Sequence, residues 1–284
     1  MTFKIKLLAL LGATFLSQQA LSQDAFGFFR GETFPPARTT PAAWLLELHK
    51  ADELLGSNIA VATFLPNTRL AWHNHPGGQI LIVTDGVGYY QERGQTKQIL
   101  RLGAVVKCAP GVEHWHGAAV ESGFTYVAVS PAQKGPTVWG QPVTDDEYLS
   151  AGSDRRATPK ARKADAGTQI ELAKADKVFP FDVASTTFAP GKRLAWHKEA
   201  GGQILIFTDG SGYYQERGQP KQLLRKGDVV KIAPGVEHWH GAAAEIGARH
   251  LSITPTSAAG IQWLGKVTDP EYGAQAVTPV HKSE

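Results

Sequence analysis

The chain repeats itself at a fixed interval, and that interval limits every fold it can adopt. His73, His75, Gln79, His114 and His116 return as His197, Glu199, Gln203, His238 and His240, and 197 − 73 and 240 − 116 both equal 124. Lys50-Ala51-Asp52 matches Lys174-Ala175-Asp176, and Val143-Thr144-Asp145 matches Val267-Thr268-Asp269, at the same offset and without a gap. A tandem repeat of this size in 284 residues requires two copies of one domain. The expected units are residues 41–150 and 168–284, the second including a C-terminal tail. Residues 151–167, with Arg155, Arg156, Lys160, Arg162 and Lys163 around Pro159, read as a hydrophilic linker rather than a basic functional patch.

Each unit is written in short strands broken by turns. Ile59–Phe64, Gln79–Thr84, Gly88–Glu92, Ala104–Cys108 and Tyr126–Val129 are rich in β-branched and aromatic residues. Pro66-Asn67, Asp85-Gly86, Arg93-Gly94 and Pro110-Gly111 separate them. Regular short strands with Gly and Pro turns predict an all-β antiparallel sandwich or barrel, twice over. A short helix is expected near Asp145–Tyr148.

The ends and the charge narrow the setting. Lys4 and Lys6, the apolar run Leu7–Leu16 and the small residues Ala20-Leu21-Ser22 form a three-part export signal over residues 1–22, with a mature start at Gln23. The apolar run is too short to span a bilayer, which needs about 20 residues, so the expected location is periplasmic or secreted without a membrane anchor. Residues 23–40 read as an extended arm whose Phe26, Phe28 and Phe29 pack on a domain or a neighbouring subunit. Removing Lys4 and Lys6 lowers the formal charge of +3 by two, to +1, which gives no reason to expect nucleic acid as a partner. Cys108 is the only cysteine and Ile232 stands in its place in the second copy, so it reads as a small core residue, not a nucleophile or ligand.

Eight of the ten histidines belong to the repeated clusters or, for His250, to a nearby strand. Side chains alternate faces along a strand. His73 and His75 therefore share a face, as do His114 and His116, while Trp72, Trp115, Trp196 and Trp239 point the other way and read as packing residues. Imidazoles and an amide oxygen converging inside a barrel are donors for a divalent metal. Without thiolate, such a set suits Mn, Fe, Co, Ni, Cu or Zn. Tyr126 and its repeat partner His250 are candidates to face the pocket. Glu113 and Glu237 adjoin a ligand but on the other face, where a solvated role or one supporting the ligand from behind is expected rather than direct ligation.

His73-Asn74-His75, Gln79 and Gly86 resemble the first motif of the cupin superfamily, and Pro110-Gly111-Val112-Glu113-His114 resembles the second. The second copy repeats both, from His197, Glu199, Gln203 and Gly210 to Pro234–His238. The resemblance implies two tandem cupin jelly-roll β-barrels, a bicupin, packed as an intramolecular pseudo-dimer with further self-association open. Arg69–His73, Glu113–Ala119, Trp139 and Val143–Tyr148 narrow it to small bacterial cupins that include manganese-dependent hydroxynitrile lyases and cupins associated with carboxymuconolactone decarboxylases. That likeness implies metal ligation by His73, His75, Gln79 and His114, and by His197, Glu199, Gln203 and His238. It implies manganese as the metal, and His116 with its repeat His240 as acid–base groups. Three departures stand out. Gln79 and Gln203 replace the usual Glu, which leaves the ion's charge intact; Glu199 replaces a His; and Asn67 replaces a Gly that Gly191 keeps. The expected function is a metal-dependent lyase acting on a small polar or anionic substrate. An iron-dependent dioxygenase and a non-catalytic ligand-binding or sensory module are the alternatives.

Overall fold

The computed structural model describes residues 31–40, 42–132, 134–154, 161–164 and 167–276. The expected export signal, Phe26, Phe28, Phe29 and the last eight residues lie outside that set. Two curled antiparallel sheets, one per repeat, form two jelly-roll barrels. In the first, the long strand Gln79–Glu92 joins the two faces. Its first half pairs with Phe124–Pro131 and Val105–Cys108, and its second half with His114–Ala118 and Lys97–Arg101. The crossing comes at Gly86, with φ +71°, where an added Cβ would meet the Gly123 carbonyl oxygen at 2.0 Å. Only glycine fits such a bend. Gln203–Glu216 makes the same crossing in the second barrel, with Gly210 at φ +68°.

The unbroken apolar runs follow from burial on both faces. In Gln79-Ile80-Leu81-Ile82-Val83, Leu81 and Val83 face the first barrel's own core, with Phe64, Val106 and Tyr126. Ile80 and Ile82 face outward and join Ile59, Val61, Val127 and Val129 in a cluster shared with Phe179, Phe181, Val183, Ile204, Ile206, Leu251 and Ile253 of the second barrel. That shared core makes the pair a pseudo-dimer. Reciprocal ion pairs flank it: Lys107 with Asp176 at 2.8 Å, and Lys231 with Asp52.

Trp72 and Trp115 pack with Val143 and Tyr148 outside the first barrel, and Trp196 and Trp239 with Val267 outside the second. Each cluster is covered by a short helix, Asp145–Leu149 or Asp269–Gly273, started by a capping box from Thr144 and Glu147 or Thr268 and Glu271. The span expected as a linker does more than connect. Gly152–Asp154 pairs in parallel with Lys97–Arg101, and Ala161–Ala164 pairs with Gly167–Ala173. The described part of the arm also joins the first sheet, as Glu32–Thr33 pairs with Trp44 and Leu45, and Thr39–Thr40 with Arg69 and Leu70. Free edge hydrogen-bonding groups are satisfied this way, which polar composition does not reveal.

Candidate metal centre

Strand pairing brings together histidines that are about forty residues apart. His73 lies directly opposite His114, and His197 opposite His238. Their ring centroids are 4.4 and 4.3 Å apart. His75 follows, 5.2 Å from His73 and 5.6 Å from His114. His73, His114 and His116 each offer a nitrogen, all three within 4.8 Å of one another; His197, His238 and His240 do the same. The structure thus brings the expected ligand His73, His114 and the expected acid–base residue His116 into one buried group.

Main-chain carbonyls orient the rings. Nδ1 of His73 is 2.8 Å from the Ala71 oxygen, and Nδ1 of His114 is 2.9 Å from the Val112 oxygen. His197 and His238 repeat this with Ala195 at 2.8 Å and Val236 at 3.0 Å. A carbonyl only accepts, so each Nδ1 carries the proton and each Nε2 keeps a lone pair. His75 Nδ1 is 3.2 Å from the Thr137 hydroxyl. Gln79 donates its amide to the Ser130 hydroxyl at 3.3 Å, and Gln203 to Thr254 at 3.3 Å, which leaves both amide oxygens free. The buried Nε2 atoms of His75, His114 and His116 and the Oε1 of Gln79 have no protein partner; nor do the Nε2 atoms of His197, His238 and His240, Glu199 Oε2 and Gln203 Oε1. Orphaned acceptors at one focus fit a cation, and donation from the far ring nitrogen is how metal-binding imidazoles are held.

Burial sets the protonation states. His73 is held well below the usual imidazole range by desolvation, then by His114 and His75. Desolvation and His114 hold His75 at about 3. His116 is likewise held far down, first by burial and then by His73, His114 and His75. In the second barrel, burial holds His197 at about 3 and pushes Glu199 up to about 7. Glu199 sits 3.5 Å from both His197 Nε2 and His238 Nε2, and accepts from the Gln203 amide at 3.0 Å. Its side chain thus turns inward to the histidines, with the Gln203 amide as its hydrogen-bond donor.

Tyr126 and His250 both face inward. The Tyr126 hydroxyl is 3.1 Å from His116 Nδ1, and His250 Nε2 is 3.1 Å from His240 Nδ1. Cys108 is buried with its sulfur 3.2 Å from His114 Nδ1, and burial pushes its thiol up to about 11, so it is a neutral packing group. Glu113 lies on the outer face in a pair with Arg93 at 3.0 Å. Asn67 adopts φ +62° where Gly191 adopts φ +72°, which explains the replacement: Asn tolerates the left-handed region better than most residues.

Sequence reasoning missed Thr137 behind His75, and it named Trp139 as a motif residue without placing it or Trp263 at the site, where their rings lie 4.9 Å from His73 and His197. It also missed the cover formed by Phe34 and Arg38 on Trp139. The recurrence of Trp139 as Trp263 at the repeat offset was the available signal for that pair. The first cavity encloses about 1140 Å³ and the second about 790 Å³.

A family model described as the Cupin domain matches residues 60–130 and again 184–254. An (R)-mandelonitrile lyase of Granulicella tundricola is 44% identical over 90 residues, 31% of this chain and 69% of that protein. Among solved structures, an oxalate decarboxylase of Lactobacillus farciminis in complex with formate aligns at a TM-score of 0.59 with 13% identity, over 82% of this chain and 86% of that one. A vicilin from Solanum melongena aligns at 0.60 with 12% identity, over 83% and 85%. At such identities the likeness is one of fold alone.

Proposed function

Since the chain belongs to the cupin family, as a tandem pair of barrels, we propose that it is an exported metal-dependent lyase that cleaves a small polar substrate in the first barrel. One observation carries this reading: buried acceptor atoms of His75, Gln79, His114 and His116 have no protein partner. Leaving a buried polar atom unsatisfied costs about 1–3 kcal/mol, which a bound cation would offset. His73, His75, Gln79 and His114 would hold the ion, and His197, Glu199, Gln203 and His238 would hold a second. Manganese is the metal proposed, with Fe, Zn, Cu, Ni and Co as competitors for the same N and O donors. The ion would supply Lewis acidity toward a substrate oxygen.

The protein's own part is positioning and proton transfer. His116 is neutral at ordinary pH because burial disfavours the imidazolium. The Tyr126 hydroxyl lies 3.1 Å from its Nδ1, and in the tautomer protonated at Nδ1 its Nε2 is free to act as base. For a hydroxynitrile, the substrate class named by the Granulicella relative, His116 takes the hydroxyl proton. The C–CN bond then breaks as the carbonyl forms, cyanide leaves with the bonding pair, and the imidazolium returns the proton as hydrogen cyanide.

Elemental analysis of protein purified without chelator tests the metal, and cyanide release from mandelonitrile tests the chemistry. About one or two metal equivalents per chain are expected, with one lost in His73→Ala. His116→Ala should keep its metal and lose roughly 10²–10⁴ in rate. Protein that neither holds nor takes up metal, or unchanged turnover in His116→Ala, refutes the corresponding half.

A further inference from the structure

The two cavities share the histidine pairs His73/His197 and His116/His240 but not their rims. The first is lined by Glu32 and Glu47 against one cation, Arg38, whose guanidinium lies 4.9 Å from the centre of the Trp139 ring. Among the described residues the second is lined by Lys192, Arg193 and Lys266, and the one acid on its wall, Glu199, is buried at the histidine cluster. Lys192 and Lys266 stand at the repeat positions held by Thr68 and Pro142 in the first copy. Arg193 is engaged by Asp269 at 2.7 Å. The side chains of Lys192 and Lys266 are exposed and unpaired among the described residues. Glu47 has its counterpart in Glu171, which lies outside the second cavity and pairs with Lys174 at 3.3 Å.

Each mouth has an aromatic wall. Phe34 packs edge-on to Trp139 at 6.4 Å and closes over the first site. Trp263 lies against His197 in the same way as Trp139 against His73, yet 53% of its surface is exposed, beside Ile261 at 45%. Deeper in, His250 is 1% exposed and its Nδ1 has no partner. An open apolar wall, two free ammonium groups at the rim and an unsatisfied buried imidazole together match a ligand with an apolar body and a carboxylate.

We propose that the tandem sites have diverged in charge selection, and that the second barrel's cavity binds a small carboxylate of apolar body, selected by Lys192 and Lys266. The acidic rim of the first cavity disfavours the same ligand and suits a neutral one. This deepens the reading of the paired cavities as ligand sites and rests on it. Opposite rim charges act over a screening distance of about 10 Å at 0.1 M salt, so the selection is salt-dependent.

The test is calorimetric titration of the full chain with phenylacetate and with its uncharged analogue phenylacetamide, with metal content measured on every sample. Wild type is expected to favour phenylacetate over the amide. Lys192→Thr combined with Lys266→Gln should weaken phenylacetate by roughly tenfold and flatten its salt dependence, with the amide unaffected. Equal affinity in the double lysine variant, no preference of wild type for the carboxylate, or no phenylacetate binding at millimolar concentration overturns the assignment. Protein that neither holds nor takes up metal yet binds phenylacetate in a lysine-dependent way supports it while overturning the metal reading.

Discussion

Kept free of metal by chelator, the protein should lose stability between pH 8 and pH 5, and His75 allows the loss to be calculated. Its imidazole sits at about 3 in the fold, against an ordinary value of 6.5, because burial and then His114 disfavour the charged form. The unfolded chain takes up a proton near pH 6.5, while the folded one does so only near 3. The contribution is therefore fully present above pH 6.5 and is lost progressively as pH falls toward 3. At pH 5 the difference is 1.5 units at about 1.4 kcal/mol each, or about 2 kcal/mol from His75 alone. His73, His114 and His116 shift in the same direction through burial and add to it. Against a typical domain stability of about 5–15 kcal/mol this is a large share. Glu199 has the opposite sign: raised from 4.5 to about 7, it contributes stability below pH 4.5 that is lost as pH rises through 7. It therefore offsets part of the acid loss from His197 and makes the first barrel the more acid-sensitive one. Urea unfolding in chelator at the two pH values, followed by tryptophan fluorescence, measures the difference, and His75→Asn should narrow it by about 2 kcal/mol. A midpoint at pH 5 equal to or above that at pH 8, or a difference unchanged in His75→Asn, refutes the reasoning.

Three further outcomes are expected. Asn67→Val should cost about 1–2 kcal/mol, because φ +62° is strained for a β-branched residue, whereas Asn67→Gly should be near neutral; equal melting temperatures for the two would contradict this. Trp115→Ala should cost about 3–5 kcal/mol, since its fully buried ring packs with Trp72, Val143 and Tyr148 and its indole N–H reaches Gln91 at 2.9 Å; a melting curve like wild type would count against that packing role. Cys108→Val should cost less than about 1.5 kcal/mol and leave metal content unchanged, because the thiol is neutral and fills space; metal loss in a folded variant would instead make the sulfur a ligand.

Some of this architecture could be read directly from residue order. The offset of 124 between the two histidine sets, the two-residue alternation and the Gly and Pro turns are properties of neighbours along the chain, and they determine two all-β units. Tryptophans beside the histidines could be assigned to the opposite face because a strand alternates by necessity. The apolar run Ile80-Leu81-Ile82-Val83 marked a strand, but not that one of its faces meets the second barrel. The candidate centre was legible because its residues are chemically distinctive and repeated.

What only tertiary structure decided depends on segments distant in the chain. Pairing of His73 with His114 and of His197 with His238 focuses the nitrogens, and the carbonyls of Ala71 and Val112 choose which ring nitrogen stays free in the first barrel. Barrel closure brings Arg38, Glu47 and Trp139 to one mouth and Lys192, Lys266 and Trp263 to the other. Local sequence determines the strands and the donors, because backbone alternation and side-chain chemistry are short-range. The charge and openness of each cavity arise from long-range closure, so two nearly identical motifs come to stand in unlike surroundings.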